Sequence, residues 1–278
     1  MAFETLMYEN DNGIGVVTLN RPEARNAMSP QMRLEFAALL RGLRSDDSVK
    51  VVVITGAGKA FCSGGDLRSM SETRRTANQS RKRIHDIHVW LPELVNLEKP
   101  VIAAVDGPAY GGGFSLALSA DFVLASSRAR FCSVFQRIGL VPDMGLLYLL
   151  PRLLGLARAK EIIFSARIIG AEEAKALGLV HGVYPPEALK EAALAFAGRF
   201  LHTSTLSLGL SKNILNQSLH LDQRTVAEME SYAQGLCMDS DHHNLAIETF
   251  LKGEELPFRW EKFEGDNTKA NEKNKGSA

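Results

Sequence analysis

Two glycine-rich segments carry the residues whose types and spacing could do chemistry. They are FCSGGDL at residues 61–67 and GPAYGGGF at residues 107–114, and each follows a short apolar run rich in β-branched residues. Glycine lets the backbone approach a ligand closely, because no side chain intervenes. Since Gly111 to Gly113 precede a predicted helix over residues 114–119, their N–H groups are expected at its positive end.

These glycines have two explanations. Two N–H groups from separate loops, aimed at one point, form an oxyanion hole, which binds a carbonyl oxygen that gains negative charge. Tight packing of a helix against a strand also places glycines at such junctions. Neither segment ends in the Gly-Lys-Ser or Gly-Lys-Thr of a phosphate-binding loop, and neither fits the dinucleotide fingerprint. Spacing alone leaves both explanations open.

One carboxylate is placed separately from the glycines. Asp143 follows Pro142 and precedes a predicted helix over residues 144–150. Aspartate is a favoured N-cap, because its side chain accepts a hydrogen bond from a free N–H of the first turn. A carboxylate near an oxyanion hole is also suited to move a proton. Both interpretations stay open for Asp143, whereas a cap is the expected role of Asp66 before a helix at Leu67.

Short runs of β-branched residues predict the buried strands that must position these groups. The predicted strands cover residues 14–19, 51–55, 101–105, 122–125 and 179–184. Helical patterns alternate with them, and Ser29 followed by Pro30 predicts the N-cap and first residue of a helix. This alternation over about the first 185 residues indicates an α/β domain with largely buried strands.

The chain changes character after Pro185. No strand pattern follows, and apolar residues at helical spacing predict consecutive helices up to residue 252. The last residues contain almost nothing apolar and are predicted to form a disordered tail. The expected organisation is a core over 1–200, a helical section over 201–264 and a tail over 265–278.

The composition argues against several classes of function. Lys plus Arg and Asp plus Glu number 32 each, so the zero net charge gives no global field to attract nucleic acid or an acidic membrane. The three cysteines are widely spaced and fit no disulfide framework, which favours reduced thiols. No signal peptide, membrane span or metal-ligand spacing is recognisable, so we expect a cytoplasmic protein without a metal.

Several motifs together resemble the crotonase superfamily, also called the enoyl-CoA hydratase/isomerase family. The resemblance covers about residues 3–263 and includes TLNRP at 18–22, AFCSGGDL at 60–67, VDG to GGG within 105–113, and GLVPD at 139–143. It implies a spiral of ββα units followed by helices that build homotrimers, often paired into hexamers. It also implies an acyl-CoA substrate, of which coenzyme A is a part rather than a separate cofactor.

The resemblance further implies which residues form the site. Gly65 and Gly112 would donate the two N–H groups that hold the thioester oxygen. The coenzyme A edge would comprise Arg25, Ala27, Ala60, Ser63, Asp66 and Leu67, with Lys252 from the same or a neighbouring subunit. Arg25 would contact a phosphate or the adenosine, although an exposed loop arginine is an equally ordinary role.

Two positions bear on the reaction. Hydratases of the family carry a glutamate three residues after the central glycine of the second segment, and another about twenty residues later. Ser115 and Phe135 stand there in this chain, and neither serves as an acid or base at neutral pH. Asp143 matches the catalytic aspartate of family isomerases, and residues 137–143 are most similar to the bacterial ring-epoxide isomerases of phenylacetyl-CoA breakdown. Phe135 and Met144 are expected apolar walls that raise the pKa of this carboxyl.

The sequence therefore favours an enoyl-CoA isomerase, acting on an aromatic-derived or medium-chain acyl-CoA, in which Asp143 carries the proton. Other enolate chemistry on the same scaffold remains an alternative, namely hydration, thioester hydrolysis or dehalogenation. The alternative from another class is a non-catalytic acyl-CoA-binding subunit. Residues 68–95 are expected to form the pocket roof, and Cys62 to be a small packed side chain.

Overall fold

The computed structural model describes residues 3–67 and 75–260. The chain divides into two compact units, Met1–Ala197 and Gly198–Ala278. All of the described strands belong to the first unit, and the second contributes helices. The predicted tail at 265–278 and the first part of the predicted roof, residues 68–74, lie outside the described residues.

Nine strands in the described part of the chain form two sheets. Their bounds are β1 Leu6–Asp11, β2 Ile14–Leu19, β3 Val51–Gly56, β4 Val101–Val105, β5 Pro108–Tyr110, β6 Phe122–Ser126, β7 Arg130–Cys132, β8 Ile168–Gly170 and β9 Gly182–Tyr184. The larger sheet has the order β1-β2-β3-β4-β6-β9, and the smaller has the order β5-β7-β8. From β2 to β9 the neighbours of the larger sheet are parallel, which requires crossover connections. Helices supply most of them, so the predicted α/β class is confirmed.

Ten α-helices have both ends within the described residues. Their bounds are α1 Pro30–Ser45, α2 Ala77–Val95, α3 Gly112–Leu118, α4 Leu146–Leu154, α5 Leu156–Ser165, α6 Ala171–Ala176, α7 Leu189–Gly198, α8 Thr205–Ser218, α9 Gln223–Met238 and α10 Asp241–Leu251. Two short 3₁₀ helices cover Pro22–Ala24 and Val134–Ile138. None of the helices in this part of the chain has the length and apolar character needed to cross a membrane.

The edge strand β1 is not predicted by the apolar pattern. Of its six residues only Leu6 is buried, because the strand borders the sheet and its other side chains face partly or fully into solvent. Asn12 and Gly13 connect it to β2 with φ values of 52° and 95°. Asn-Gly with positive φ is the preferred two-residue hairpin turn, so this dipeptide is the signal that identifies the strand.

The first helix begins where the sequence predicts it. The Ser29 hydroxyl accepts a hydrogen bond from the Met32 N–H at 3.1 Å, and Pro30 is the first helical residue. The ring of Phe36 stacks on that of Trp90 in α2, with centroids 5.2 Å apart. Because both rings are almost fully buried, this pair joins α1 to α2.

The last strand is shorter than predicted. Pattern reasoning predicts a strand over residues 179–184, but β9 covers only Gly182–Tyr184. The Leu179 N–H instead donates to the Ala174 carbonyl at 2.9 Å, and Gly178 has a φ of 79°. This is the turn with which a helix commonly ends. Leu179 is buried, so its apolar character reflects packing rather than pairing.

The segments after β3 and β4 approach each other at backbone distance. Cys62 and Ala109 form an isolated parallel bridge, and the Tyr110 N–H donates to the Cys62 carbonyl at 2.9 Å. A Cβ added to Gly113 would lie 2.1 Å from the same carbonyl oxygen. No side chain fits there, so tight packing explains the glycine at 113.

We expect Gly113→Ala to lower the free energy of unfolding by about 1–3 kcal/mol or more, because the added methyl group must displace the Cys62 backbone. Gly235→Ala is the matched control, since Gly235 lies within α9 and its added Cβ meets no atom within 4 Å. That control should raise the free energy of unfolding by roughly 0.5–1 kcal/mol. Urea unfolding measures both, and an unchanged Gly113→Ala would contradict the contact.

Candidate active site

The structure brings the two glycine-rich segments together. A Cβ placed on Gly64 would lie 3.2 Å from the amide nitrogen of Gly112 and 2.7 Å from the carbonyl oxygen of Tyr110. Gly64 also has a φ of 94°, a conformation that other residues rarely adopt. The backbone at 64–65 and the start of α3 are therefore direct neighbours.

Two main-chain N–H groups at this junction have no acceptor among residues 3–67 and 75–260. Neighbouring backbone groups are engaged, since the Gly64 carbonyl accepts from the Met28 N–H at 2.8 Å and the Gly111 N–H donates to the Cys132 carbonyl at 2.9 Å. No described residue accepts a hydrogen bond from the N–H of Gly65 or of Gly112. Gly112 is the first residue of α3, where an N–H has no partner within its own helix. Two neighbouring segments thus each present a donor.

A buried amide side chain, that of Asn26, forms hydrogen bonds with the loop that precedes the first glycine-rich segment. Asn26 is fully buried, and its Oδ1 accepts from the Arg21 N–H at 2.9 Å. Its Nδ2 donates to the carbonyls of Ala57 at 2.9 Å and Ala60 at 2.8 Å. Asn26 has a φ of 55°, which asparagine tolerates better than most residues. The turn at residues 21–26 is thereby tied to the loop that leads to the glycines.

Most of the residues implied for coenzyme A lie along this same edge. The Arg25 carbonyl accepts from the Ser63 N–H at 3.0 Å, and the Arg25 side chain is exposed. Ala27 and Ala60 are buried beside them, so they offer backbone rather than side-chain contacts. Leu67 is 58% exposed. The structure therefore assembles these residues into one partly exposed surface.

Asp66 belongs to the same edge through an ion pair. Its carboxylate accepts from Arg21 Nη1 at 2.9 Å, and that nitrogen also donates to the Ala27 carbonyl at 2.7 Å. The predicted helix that Asp66 would cap lies mostly outside the described residues, because the description stops at Leu67 and resumes at Arg75. Lys252 lies in the second unit, where its Nζ is 3.9 Å from a carboxylate oxygen of Glu248.

Asp143 does not cap the helix that follows it. The N-cap of α4 is Gly145, with a φ of 78° and no side-chain hydrogen bond. The N-cap interpretation of Asp143 is therefore wrong, because two intervening residues turn the chain before the helix begins. The Asp143 carboxyl is half-buried, and burial raises its pKa, although nearby positive charges act in the opposite direction. The Asp143 carboxyl is thus not used to cap α4.

Two apolar side chains enclose the junction, as the sequence predicts. Met144 is 2% exposed, and its Sδ would lie 2.8 Å from a Cβ added to Gly112. Phe135 is buried, with a ring carbon 3.7 Å from a Cβ added to Gly111. Met144 has a φ of 51°, a left-handed conformation that is strained for a residue with a side chain. The strained backbone directly follows Asp143.

Pattern reasoning misses three basic residues around Asp143. Arg33 in α1, together with Arg83 and His88 in α2, favours the ionised form of the Asp143 carboxyl and so limits the rise of its pKa. The signal for Arg33 is present in the sequence, since Phe36 and Leu40 follow it at helical spacing and all three are buried. A charged residue on the buried face of a helix requires a specific role.

Other reactive side chains do not form a second site. Cys62 is fully buried, and burial raises the pKa of its thiol to about 11, so it stays protonated at neutral pH. The prediction of a small packed side chain is confirmed for Cys62. Within residues 3–67 and 75–260, no group of three or more His, Cys, Asp or Glu residues is arranged to hold a metal ion.

Comparison with known proteins adds an independent line of evidence. The family model described as enoyl-CoA hydratase/isomerase matches residues 9–263. A protein of Syntrophomonas wolfei named crotonyl-CoA hydratase is 34% identical over 93% of this chain and 99% of its own length. A protein of Escherichia coli named 1,2-epoxyphenylacetyl-CoA isomerase is 32% identical over 89% and 95%, respectively.

A solved structure gives the same result for the fold. The crystal structure of an enoyl-CoA hydratase/isomerase from Cupriavidus metallidurans aligns with a TM-score of 0.89 and 39% identity, covering 93% of this chain and 97% of that chain. The predicted crotonase-like architecture is thereby confirmed. With motifs, family model and fold in agreement, the chain belongs to the enoyl-CoA hydratase/isomerase family, the crotonase superfamily.

Proposed function

We propose that the chain isomerises an enoyl-CoA thioester through an enolate, with Asp143 as the proton carrier. The observation that carries this proposal is the position of the Asp143 carboxyl. It is half-buried and has a raised pKa, and the next residue, Met144, packs against Gly112. A carboxyl group with a raised pKa can both accept and return a proton.

The proposed reaction begins when the ionised Asp143 takes a proton from C2 of a 3-enoyl-CoA. The electrons of that C–H bond move toward the thioester and give a dienolate, whose oxygen accepts hydrogen bonds from the N–H groups of Gly65 and Gly112. The protonated Asp143 then gives its proton to C4, the double bond moves to C2–C3, and the carbonyl re-forms. Losing one such N–H contact typically costs about 2.7–4 kcal/mol of transition-state stabilisation.

The residues at 115 and 135 support isomerisation over hydration. Hydration needs one group to activate water and one to protonate the α-carbon. The Ser115 hydroxyl is fully buried and donates to the Asp143 carbonyl at 3.0 Å, so it serves to hold the Asp143 segment. Phe135 is buried and apolar. Isomerisation needs a single mobile proton, which one carboxyl group supplies.

Hydration is the second candidate, and the names of relatives favour it. The Syntrophomonas wolfei relative is named crotonyl-CoA hydratase, and a Clostridium acetobutylicum relative, 34% identical over 91% of this chain, is named short-chain-enoyl-CoA hydratase. In this chain hydration would require Asp143 alone to serve both the water and the α-carbon. The two reactions consume different substrates and are therefore distinguishable.

We also propose where the rest of the substrate binds and how the chain assembles. The edge formed by Arg25, Ala27, Ala60, Ser63, Asp66 and Leu67 would hold the coenzyme A moiety. Self-association as a trimer or hexamer is supported by exposed apolar side chains of the second unit. They include Tyr232, Leu236, Leu245, Phe250 and Leu251.

Asp143→Asn should lower the turnover of a 3-enoyl-CoA by about 10²–10⁴-fold, because the amide cannot accept the proton. Acyl-CoA affinity should stay nearly the same. The absorbance of the conjugated 2-enoyl-CoA product measures the reaction. Asp47→Asn replaces an exposed aspartate and should leave turnover unchanged. Full activity of the Asp143 variant, or consumption of 2-enoyl-CoA and water but not 3-enoyl-CoA by the wild type, would overturn the proposal.

The same substitution should stabilise the fold at neutral pH. Burial raises the folded-state pKa of Asp143, so the stability linked to its protonated form is present below the ordinary value of about 3.9 and is lost as pH rises through the folded value. Asn cannot ionise and avoids that loss. We expect Asp143→Asn to raise the thermal midpoint at pH 7, with a smaller gain at pH 4; a lower midpoint at pH 7 would contradict the raised pKa.

The pH profile tests the electrostatics. Since burial raises the pKa of Asp143 and the reaction needs its ionised form, kcat/KM should fall at low pH with a midpoint above about 3.9. Arg83→Gln removes a positive charge that lowers this pKa, so it should move the midpoint to higher pH. A pH midpoint that stays unchanged or moves to lower pH in Arg83→Gln would show that Arg83 does not lower the pKa of Asp143.

A further inference from the structure

Two arginines of adjacent helices lie close enough to Asp143 to act on its charge, within the first unit, without forming an ion pair with it. Arg33 belongs to α1 and Arg83 to α2, and both act electrostatically on the Asp143 carboxyl. Arg33 is only 9% exposed, and Arg83 is half-buried. Arginine is rarely buried without a partner. We call Arg33 and Arg83 the arginine pair.

The arginine pair has donors that the described residues do not use. Arg33 Nη2 and Arg83 Nε are both buried without a hydrogen-bond partner. The Arg33 Nε contact with the Ser29 carbonyl is long, at 3.4 Å. Neither guanidinium forms an ion pair with a carboxylate of the described residues. Buried donors of this kind call for an acceptor.

The charges of the pair require compensation. Burial lowers the pKa of each guanidinium, and the proximity of Arg33 and Arg75 to Arg83 adds repulsion between like charges. Asp143 and the exposed Asp86 offset part of this repulsion at Arg33, and Asp143 and Asp66 offset part of it at Arg83. An anionic group that accepts hydrogen bonds from both guanidinium groups would satisfy the donors and relieve the repulsion. Carboxylates match the planar arginine donors geometrically.

The position of the pair indicates which part of the substrate it faces. The α2 side chain of Leu91 lies 3.5 Å from a Cβ added to Gly145, two residues after Asp143. Arg33 and Arg83 themselves act on the charge of the Asp143 carboxyl, so the pair is near the group that we propose acts at C2 and C4 of the acyl chain. Arg25 and Ser63, two of the proposed coenzyme A contacts, belong to the edge around the turn at 21–26. Asp66 of the same edge also acts electrostatically on Arg83, whereas the carboxylates that act on Arg33 are Asp143 and Asp86.

We infer that Arg33 and Arg83 bind a carboxylate on the acyl chain, so that the preferred substrates are acyl-CoA thioesters whose acyl group ends in a carboxylate. This inference rests on the proposed function, because it takes Asp143 as the marker of the acyl site. The competing explanation is that the pair only adjusts the ionisation of Asp143, and the test separates the two.

Binding of saturated acyl-CoA thioesters tests the inference without turnover. Isothermal titration calorimetry would compare glutaryl-, adipoyl- and pimeloyl-CoA with valeryl-, hexanoyl- and heptanoyl-CoA, which are methyl-ended thioesters of equal carbon number. For at least one length, the carboxylate-ended thioester should bind the wild type about tenfold tighter or more, equivalent to about 1.4 kcal/mol. Methyl-ended thioesters binding as tightly at all three lengths would overturn the inference.

Substitution of each arginine locates the carboxylate. Arg33→Gln and Arg83→Gln should each remove most of the preference, while the methyl-ended thioesters bind as tightly as before or more tightly. Arg81→Gln, at an exposed position of the same helix, should keep the preference. Thermal unfolding checks that each variant folds. If Arg33→Gln does not fold, the binding preference of Arg83→Gln, at a half-buried position, decides the test. A preference that survives in Arg83→Gln would overturn the assignment.

The outcomes also separate this inference from the proposed function. A carboxylate preference without isomerisation of any 3-enoyl-CoA would support the arginine site and refute the proposed reaction. Isomerisation of a methyl-ended 3-enoyl-CoA without a carboxylate preference would support the reaction and refute the arginine site. In that second case, an upward shift of the pH midpoint in Arg83→Gln would assign the pair to the ionisation of Asp143.

Discussion

The close approach of two backbone segments is the constraint on which the rest of the site depends. Gly113 packs directly on the Cys62 carbonyl, and Gly64 lies against the start of α3. Main-chain groups approach this closely only where no side chain intervenes. The contact makes the two segments that carry the Gly65 and Gly112 N–H groups direct neighbours. Asn26 fixes the loop that leads to Gly65 through two hydrogen bonds, to the carbonyls of Ala57 and Ala60.

Apolar periodicity predicts the interior elements of the fold well. β2, β4 and α1 are buried along at least one face, so their burial leaves a direct trace in the sequence. The edge strand β1 and the short strands β5, β7 and β8 leave little trace, because they are polar or only three residues long. Gly178 ends a helix where the apolar run extends into Leu179, so burial and strand pairing are indistinguishable there.

The candidate site is predictable where chemistry depends on local sequence and not where it depends on tertiary contact. The glycine segments and Asp143 are recognisable as motifs in the printed chain. Asp143 does not cap α4 because the backbone at Met144 and Gly145 is left-handed. The residue pattern does not predict that conformation. Arg33 and Arg83 are 50 residues apart in the sequence. They are neighbours only because α1 packs on α2.

The unused donors of Gly65 and Gly112 belong to the main chain, whereas the groups at 115, 135 and 143 are side chains. A codon change can alter any of these side chains without removing an N–H group. In the proposed reaction, binding of the carbonyl oxygen would therefore survive side-chain mutations that abolish proton transfer. Under that proposal, an enzyme lineage could acquire a new reaction through side-chain changes while each intermediate variant kept its thioester-binding backbone.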